Sequence, residues 1–144
     1  MNRRTHNAFT LVEVLIVVIL LGILAAIVIP QFTQASGQAQ TNALASDLQT
    51  VRSQIQLFKV QHLDNFPGTN IDTILTSRSN QLGTIGTDAN LFPLGPYLQK
   101  FPNNAYQNSN AVKTTGSAGS GTEGWWYDSG SGSFSPNDSG HTSM

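Results

Sequence analysis

The 144-residue chain has no cysteine, three histidines and few charges: seven Lys and Arg stand against eight Asp and Glu, for a net charge of −1. Without cysteine there is no disulfide framework, no thiolate metal site and no Cys nucleophile. A near-neutral chain without a basic run has no field to gather phosphates, so nucleic acid is not an expected partner. His6, His62 and His141 have neither helical nor loop metal-ligand spacing. No Gly-x-Ser-x-Gly elbow, Walker loop or Rossmann glycine pattern occurs. The expectation is therefore a chain that is not an enzyme and holds no cofactor and no metal. Asp128 and Asp138, in the Gly/Ser-rich end, read as solvated turn residues rather than calcium ligands.

What the chain does have is a long apolar run. Residues 9–29 read FTLVEVLIVVILLGILAAIVI, with a single charge at Glu13. At 1.5 Å per residue such a helix extends about 31 Å, enough to cross the hydrocarbon of a bilayer. A secretory signal would have a shorter apolar region followed by an Ala-x-Ala type site. Here Pro30-Gln31-Phe32 follows, and a helical pattern continues. Arg3 and Arg4 precede the run and no Lys or Arg recurs until Arg52, so the positive-inside rule keeps the N-terminus in the cytoplasm and exports the remainder. Were the first eight residues removed, five basic side chains would face eight acidic ones, a net −3.

Beyond Pro30 the composition shifts to Gln, Ala, Ser, Thr and Asn, yet Leu44, Leu48, Val51, Ile55 and Phe58 keep spacings that line one side of a helix. Leu57, Val60 and Leu63 are expected to widen that side. Pro30 should kink the helix without ending it, and Gly22 adds a second weak point. The two halves together suggest one helix over about residues 9–63, stopped by Asp64-Asn65-Phe66-Pro67-Gly68. A short helix is expected over residues 71–76 and a turn at 96–99. Strands are expected within 110–115, 124–128 and 132–135, the last two joined by the turn Ser129-Gly130-Ser131-Gly132. The tail from Pro136 reads as frayed. The expected fold is α+β: a long N-terminal helix packed on a small antiparallel C-terminal sheet.

Glu13 stands out, because a carboxylate inside an apolar span costs about 2.5–3.5 kcal/mol on insertion scales. Two readings stand side by side on physical grounds. The carboxylate could snorkel to the headgroups near the end of an uncleaved helix. Alternatively, a cut between Ala8 and Phe9 would place a new α-amino group one helical turn from Glu13, able to neutralise it within the chain or in a neighbour.

The segment Ala8-Phe9-Thr10-Leu11-Val12-Glu13-Val14-Leu15-Ile16, with the apolar residues that follow as far as Pro30-Gln31-Phe32, closely resembles the cleavage and methylation segment of type IV pilins and type II secretion pseudopilins. The resemblance implies a leader of residues 1–8, a membrane and filament-core half over 9–29, an amphipathic half over 30–63 and a head over 64–144. It implies that a prepilin peptidase cuts between Ala8 and Phe9 on the cytoplasmic side and that Phe9 is then N-methylated. It further implies that Glu13 pairs with the N-terminal amine of an adjacent subunit, and that the helix loosens between Gly22 and Pro30 on packing into a filament. Most of the family has Gly where this chain has Ala8, the smallest replacement.

Within the family, the short head, the absent cysteines and Gly95-Pro96-Tyr97-Leu98-Gln99-Lys100-Phe101-Pro102 resemble the major, G-type pseudopilin. An Asp-Pro-Trp-Gly-Asn-Pro-Tyr pattern of that branch is reduced here to Phe101-Pro102-Asn103-Asn104-Ala105-Tyr106, and its acidic calcium loop is not evident. The expected role is a structural subunit of a type II secretion pseudopilus. Its implied partners are other copies of itself, the peptidase, other pseudopilins and inner-membrane assembly proteins, with the membrane as its environment before assembly. The implied location is the bacterial inner membrane in a single pass with the head periplasmic, then a periplasmic or cell-surface filament. Two alternatives are a type IV pilus subunit and an anchored, exported binding protein that presents Trp125, Trp126 and Tyr127 to a ligand such as a glycan.

Overall fold

A computed structural model of the chain describes residues 10–144. Helix α1 runs over Leu11–Gln61. Its apolar first half and its Gln- and Ala-rich second half both favour helix, and Pro30 lies inside it without interrupting it. A proline there removes one N–H from the ladder. One turn further on, the Thr33 hydroxyl donates to the Ile29 carbonyl at 3.2 Å. The chain parts into two compact units, Met1–Ala39 and Gln40–Met144.

The first unit, described from Thr10, is helix with exposed side chains throughout. An 18-residue window of α1 has a mean hydropathy of 3.2 and no buried residue. Length and composition suffice for a membrane span.

The second unit contains the core. Leu44, Leu48, Val51, Ile55 and Phe58 of α1 are all buried, as their spacing requires. They pack with Ile71 and Leu75 of helix α2 (Ile71–Thr76) and with Phe101, Trp125, Tyr127 and Phe134. Leu57, Val60 and Leu63 do not join them: Val60 is 80% exposed and Leu63 59%. The core side of α1 is one stripe wide, because α2 and the sheet cover only the Leu44-to-Phe58 face.

α1 stops in a Schellman-type turn. The Asp64 N–H donates to Lys59 O at 3.1 Å across a left-handed Leu63 (φ 56°), and Asn65 Nδ2 donates to His62 O at 3.0 Å. His62, in the last turn, is buried and stacked on Phe58 with ring centroids 3.6 Å apart. Its Nδ1–H donates to Phe58 O at 2.7 Å, so Nε2 accepts from the Ser79 hydroxyl at 3.0 Å.

Two small sheets follow. Strands β1 (Arg78–Ser79) and β2 (Ile85–Gly86) pair antiparallel, with Ser79 opposite Ile85. The larger sheet has the order β3-β4-β5, formed by Val112–Lys113, Trp125–Asp128 and Ser133–Pro136. β4 and β5 form the expected hairpin, with Tyr127 opposite Phe134. β3 adds in parallel, Val112 opposite Trp125, so the sheet is mixed rather than wholly antiparallel. The connection from Lys113 to Trp125 is long enough to carry the chain back to the starting end of the sheet. The last residues are packed, not frayed. Asn137 is fully buried, and Arg52 donates through Nε to Phe134 O (2.9 Å) and through Nη2 to Met144 O (2.7 Å).

Candidate assembly site

Ala8 and Phe9, the residues expected to be cut and methylated, lie outside the described residues. The site begins for us at Thr10, the N-cap of α1. Glu13 N–H donates to Thr10 Oγ1 at 3.2 Å, while the Thr10 N–H and hydroxyl both donate to Glu13 Oε2 at 2.9 Å. This is a reciprocal capping box: two helix-start donors that have no partner inside the helix are satisfied by side chains. The signature Thr-x-x-Glu stands in the sequence as Thr10-Leu11-Val12-Glu13, a local signal of this cap. Glu13 is thus held back toward the first turn of α1, where the helix dipole also favours an anion.

Around this carboxylate the surface is aliphatic. Leu11 is 81% exposed, and Val14, Leu15, Ile16, Val17 and Val18 are each more than half exposed. No contact within the described chain asks for glycine at position 22: nothing lies within 4 Å of where a Cβ would stand. A glycine in a helix interior costs about 1 kcal/mol relative to alanine, and an interior proline about 3 kcal/mol. Gly22 and Pro30 therefore weaken this stretch without any return from the chain's own packing.

The head offers no comparable chemistry. Among the described residues no group of three or more His, Asp or Glu converges as a metal site. Asp128 accepts from Gly130 N–H (3.0 Å) and the Ser131 hydroxyl (2.7 Å). Those bonds, the Ser131 one first, hold its carboxyl below the usual carboxylate range. Asp138 pairs instead with His141, past the opposite end of the β4–β5 hairpin. The two carboxylates do not form one site.

The aromatic ligand surface is overturned. Trp125 and Tyr127 are fully buried, and alternation along β4 leaves only Trp126 on the outer face, with its Nε1–H on Gly116 O at 3.0 Å. The Tyr127 hydroxyl donates to Pro67 O at 2.8 Å. Burial, helped by the charge of Asp128, pushes its ionisation well upward. Sequence reasoning also missed the buried polar residues Asn104 and Asn137, because nothing local distinguishes them from turn asparagines.

An apolar helix of membrane length, a capping glutamate at its start and an amphipathic continuation built into a small α+β head define a pilin-like fold. Residues 3–29 match the model of the prokaryotic N-terminal methylation motif. The chain is 39% identical over 66 residues to the type II secretion system core protein G of Pseudomonas aeruginosa, covering 46% of this chain and 44% of that protein. It is 23% identical over 121 residues to core protein G of Klebsiella michiganensis, covering 83% and 81% of the two chains. To core protein G of Vibrio cholerae it is 26% identical over 120 residues, covering 81% and 76%. The Pseudomonas match thus spans less than half of that relative's length. No solved structure matches. The chain thus carries the prokaryotic N-terminal methylation motif and is similar to G-type core proteins of type II secretion systems.

Proposed function

We propose that the chain is the structural subunit of a type II secretion pseudopilus, cut by prepilin peptidase between Ala8 and Phe9, N-methylated at Phe9, and assembled helix on helix into a periplasmic filament that supports protein export. In this reading it performs no catalysis. Before assembly it crosses the inner membrane once, with its N-terminus cytoplasmic and its head periplasmic. The observation that carries the proposal is the exposed aliphatic surface of α1 around Glu13, with no buried residue in its most apolar stretch.

That surface needs an apolar environment, and lipid and neighbouring helices both supply one. Transfer from one to the other keeps the aliphatic area buried, while a neighbour's N-terminal amine removes the penalty on Glu13 that lipid imposes. Gly22 and Pro30 are then the places where the helix yields as neighbours crowd it. Other pseudopilins and inner-membrane assembly proteins are the expected partners of the growing filament.

Mass spectrometry of the mature N-terminus tests this directly. The expected species begins at Phe9 and carries one added methyl group. An N-terminus that still begins at Met1 in assembled material would refute the proposal.

A further inference from the structure

The acidic calcium loop of the G-type branch is not evident in the sequence, and the side chains around the connection from β3 to β4 show what closes that loop. Three nitrogen donors from three parts of the head converge there. The Lys113 ammonium donates to both the carbonyl and the hydroxyl of Ser120, the latter at 2.7 Å. Buried Asn137 donates through Nδ2 to Ser120 O (3.3 Å), Glu123 O (3.2 Å) and Glu123 Oε2 (3.5 Å). Its Oδ1 accepts from Gly119 N–H (3.0 Å) and Ser120 N–H (3.3 Å). Gln107 Nε2 donates to Gly121 O (3.3 Å) and Asn137 O (3.4 Å).

Calcium needs about six to eight oxygens at roughly 2.3–2.6 Å, most of them unengaged carbonyls and carboxylates. Here the converging carbonyls of Ser120, Gly121, Glu123 and Asn137 each accept a hydrogen from the chain itself. Glu123 brings the one carboxylate in these contacts, and the nearby Asp138 is engaged by His141 and Asn104. Lys113 already places a positive charge on the Ser120 carbonyl, where it would repel a divalent ion. Gln107 Oε1 is buried without a donor among the described residues, but it is a single neutral oxygen. The donor set does not fit calcium.

We infer that the loop between β3 and β4 is closed by the chain's own ammonium and amide groups, Lys113, Asn137 and Gln107, and that the head folds without a divalent cation. The clasp ties β3, the 104–109 turn and the segment after β5 to one loop. It supplies from within the chain the positive charge that a bound ion would otherwise bring, and its N–H groups satisfy carbonyl oxygens that an ion would otherwise coordinate. This inference does not depend on which filament the chain enters.

Thermal unfolding of the full chain in detergent, followed by Trp fluorescence in millimolar calcium chloride and again in EDTA, tests it. Trp126, hydrogen-bonded to Gly116 O in the same loop, serves as the reporter. The expected midpoints agree within about 1 °C, since an ion bound only by the folded state would raise the midpoint with its concentration. Lys113→Gln and Asn137→Asp are each expected to lower the midpoint by several degrees in both solutions. A wild-type midpoint that rises several degrees in calcium overturns the inference, and so do variants that melt with the wild type.

Discussion

Thr10 and Glu13 hold each other at the start of α1 through three hydrogen bonds, two of which end on the same carboxylate oxygen, Oε2. The residue expected to receive a neighbour's amine is thus already oriented within its own chain. Glu13→Ala removes the charge partner and the two bonds that end on the carboxylate, while the backbone N–H of residue 13 keeps its bond to the Thr10 hydroxyl. Leader removal should proceed, and filaments should fail to form. Thr10→Ala removes only the hydroxyl, weakening the helix start by about 1 kcal/mol, so filament yield should fall without vanishing. Pull-down of sheared filaments alongside N-terminal sequencing separates the two steps. Wild-type filament levels from Glu13→Ala would remove the charge-pairing account.

Asn104 and Gly124 form a second interdependent pair, in the head. Asn104 Nδ2 donates to Gly124 O at 2.7 Å, and its Oδ1 accepts from Tyr106 N–H at 2.8 Å. Replacing Asn104 with Ala strands the Tyr106 N–H and should cost about 2–3 kcal/mol in denaturant unfolding. Gly124→Ala should be at least as damaging, because a Cβ there would overlap the Ser109 carbonyl, which is backbone and cannot swing aside.

Leu63 offers the opposite sign. It sits exposed in a left-handed conformation at the end of α1, a position where glycine is the usual occupant. Relief of about 1–2 kcal/mol of backbone strain outweighs the extra chain entropy that glycine loses on folding. Leu63→Gly should therefore stabilise the head by about 0.5 kcal/mol, read as a higher unfolding midpoint.

Asp128 gives the head an acid limb. Its carboxyl is held below the usual range when folded, so its contribution is present above the unfolded value, about pH 3.9, and is lost as pH falls through the lower folded value. The unfolding midpoint of wild type should drop as pH falls below about 4, and Asp128→Asn should flatten part of that drop. Equal acid limbs in the two proteins would show that the bonds to Ser131 and Gly130 carry no stability.

Local pattern was a good guide along α1 and a partial one beyond it. The Leu44-to-Phe58 stripe repeats at helical spacing, and each member is buried. The same reasoning placed Leu57, Val60 and Leu63 inside, where they are not, because periodicity names a face but not how much of it is covered. Alternation in Trp125-Trp126-Tyr127 was legible as a strand, whereas which face met the core was not. For His62, a lone histidine at a helix end, nothing nearby in sequence announces the stacking on Phe58 or the bond from Ser79.

Sequence by itself determined the membrane-length helix, its single carboxylate, the amphipathic continuation and the two-stranded aromatic hairpin. Each rests on chemistry repeated over a few neighbouring residues, which local propensity and hydropathy encode. Only the tertiary structure decided that β3 docks in parallel beside β4, that the tail packs under Arg52, and that Lys113, Gln107 and Asn137 meet at one loop. Those contacts join residues up to 92 positions apart. Their partners are selected by the closing of the core and the need to satisfy buried polar groups, and no local pattern records that selection.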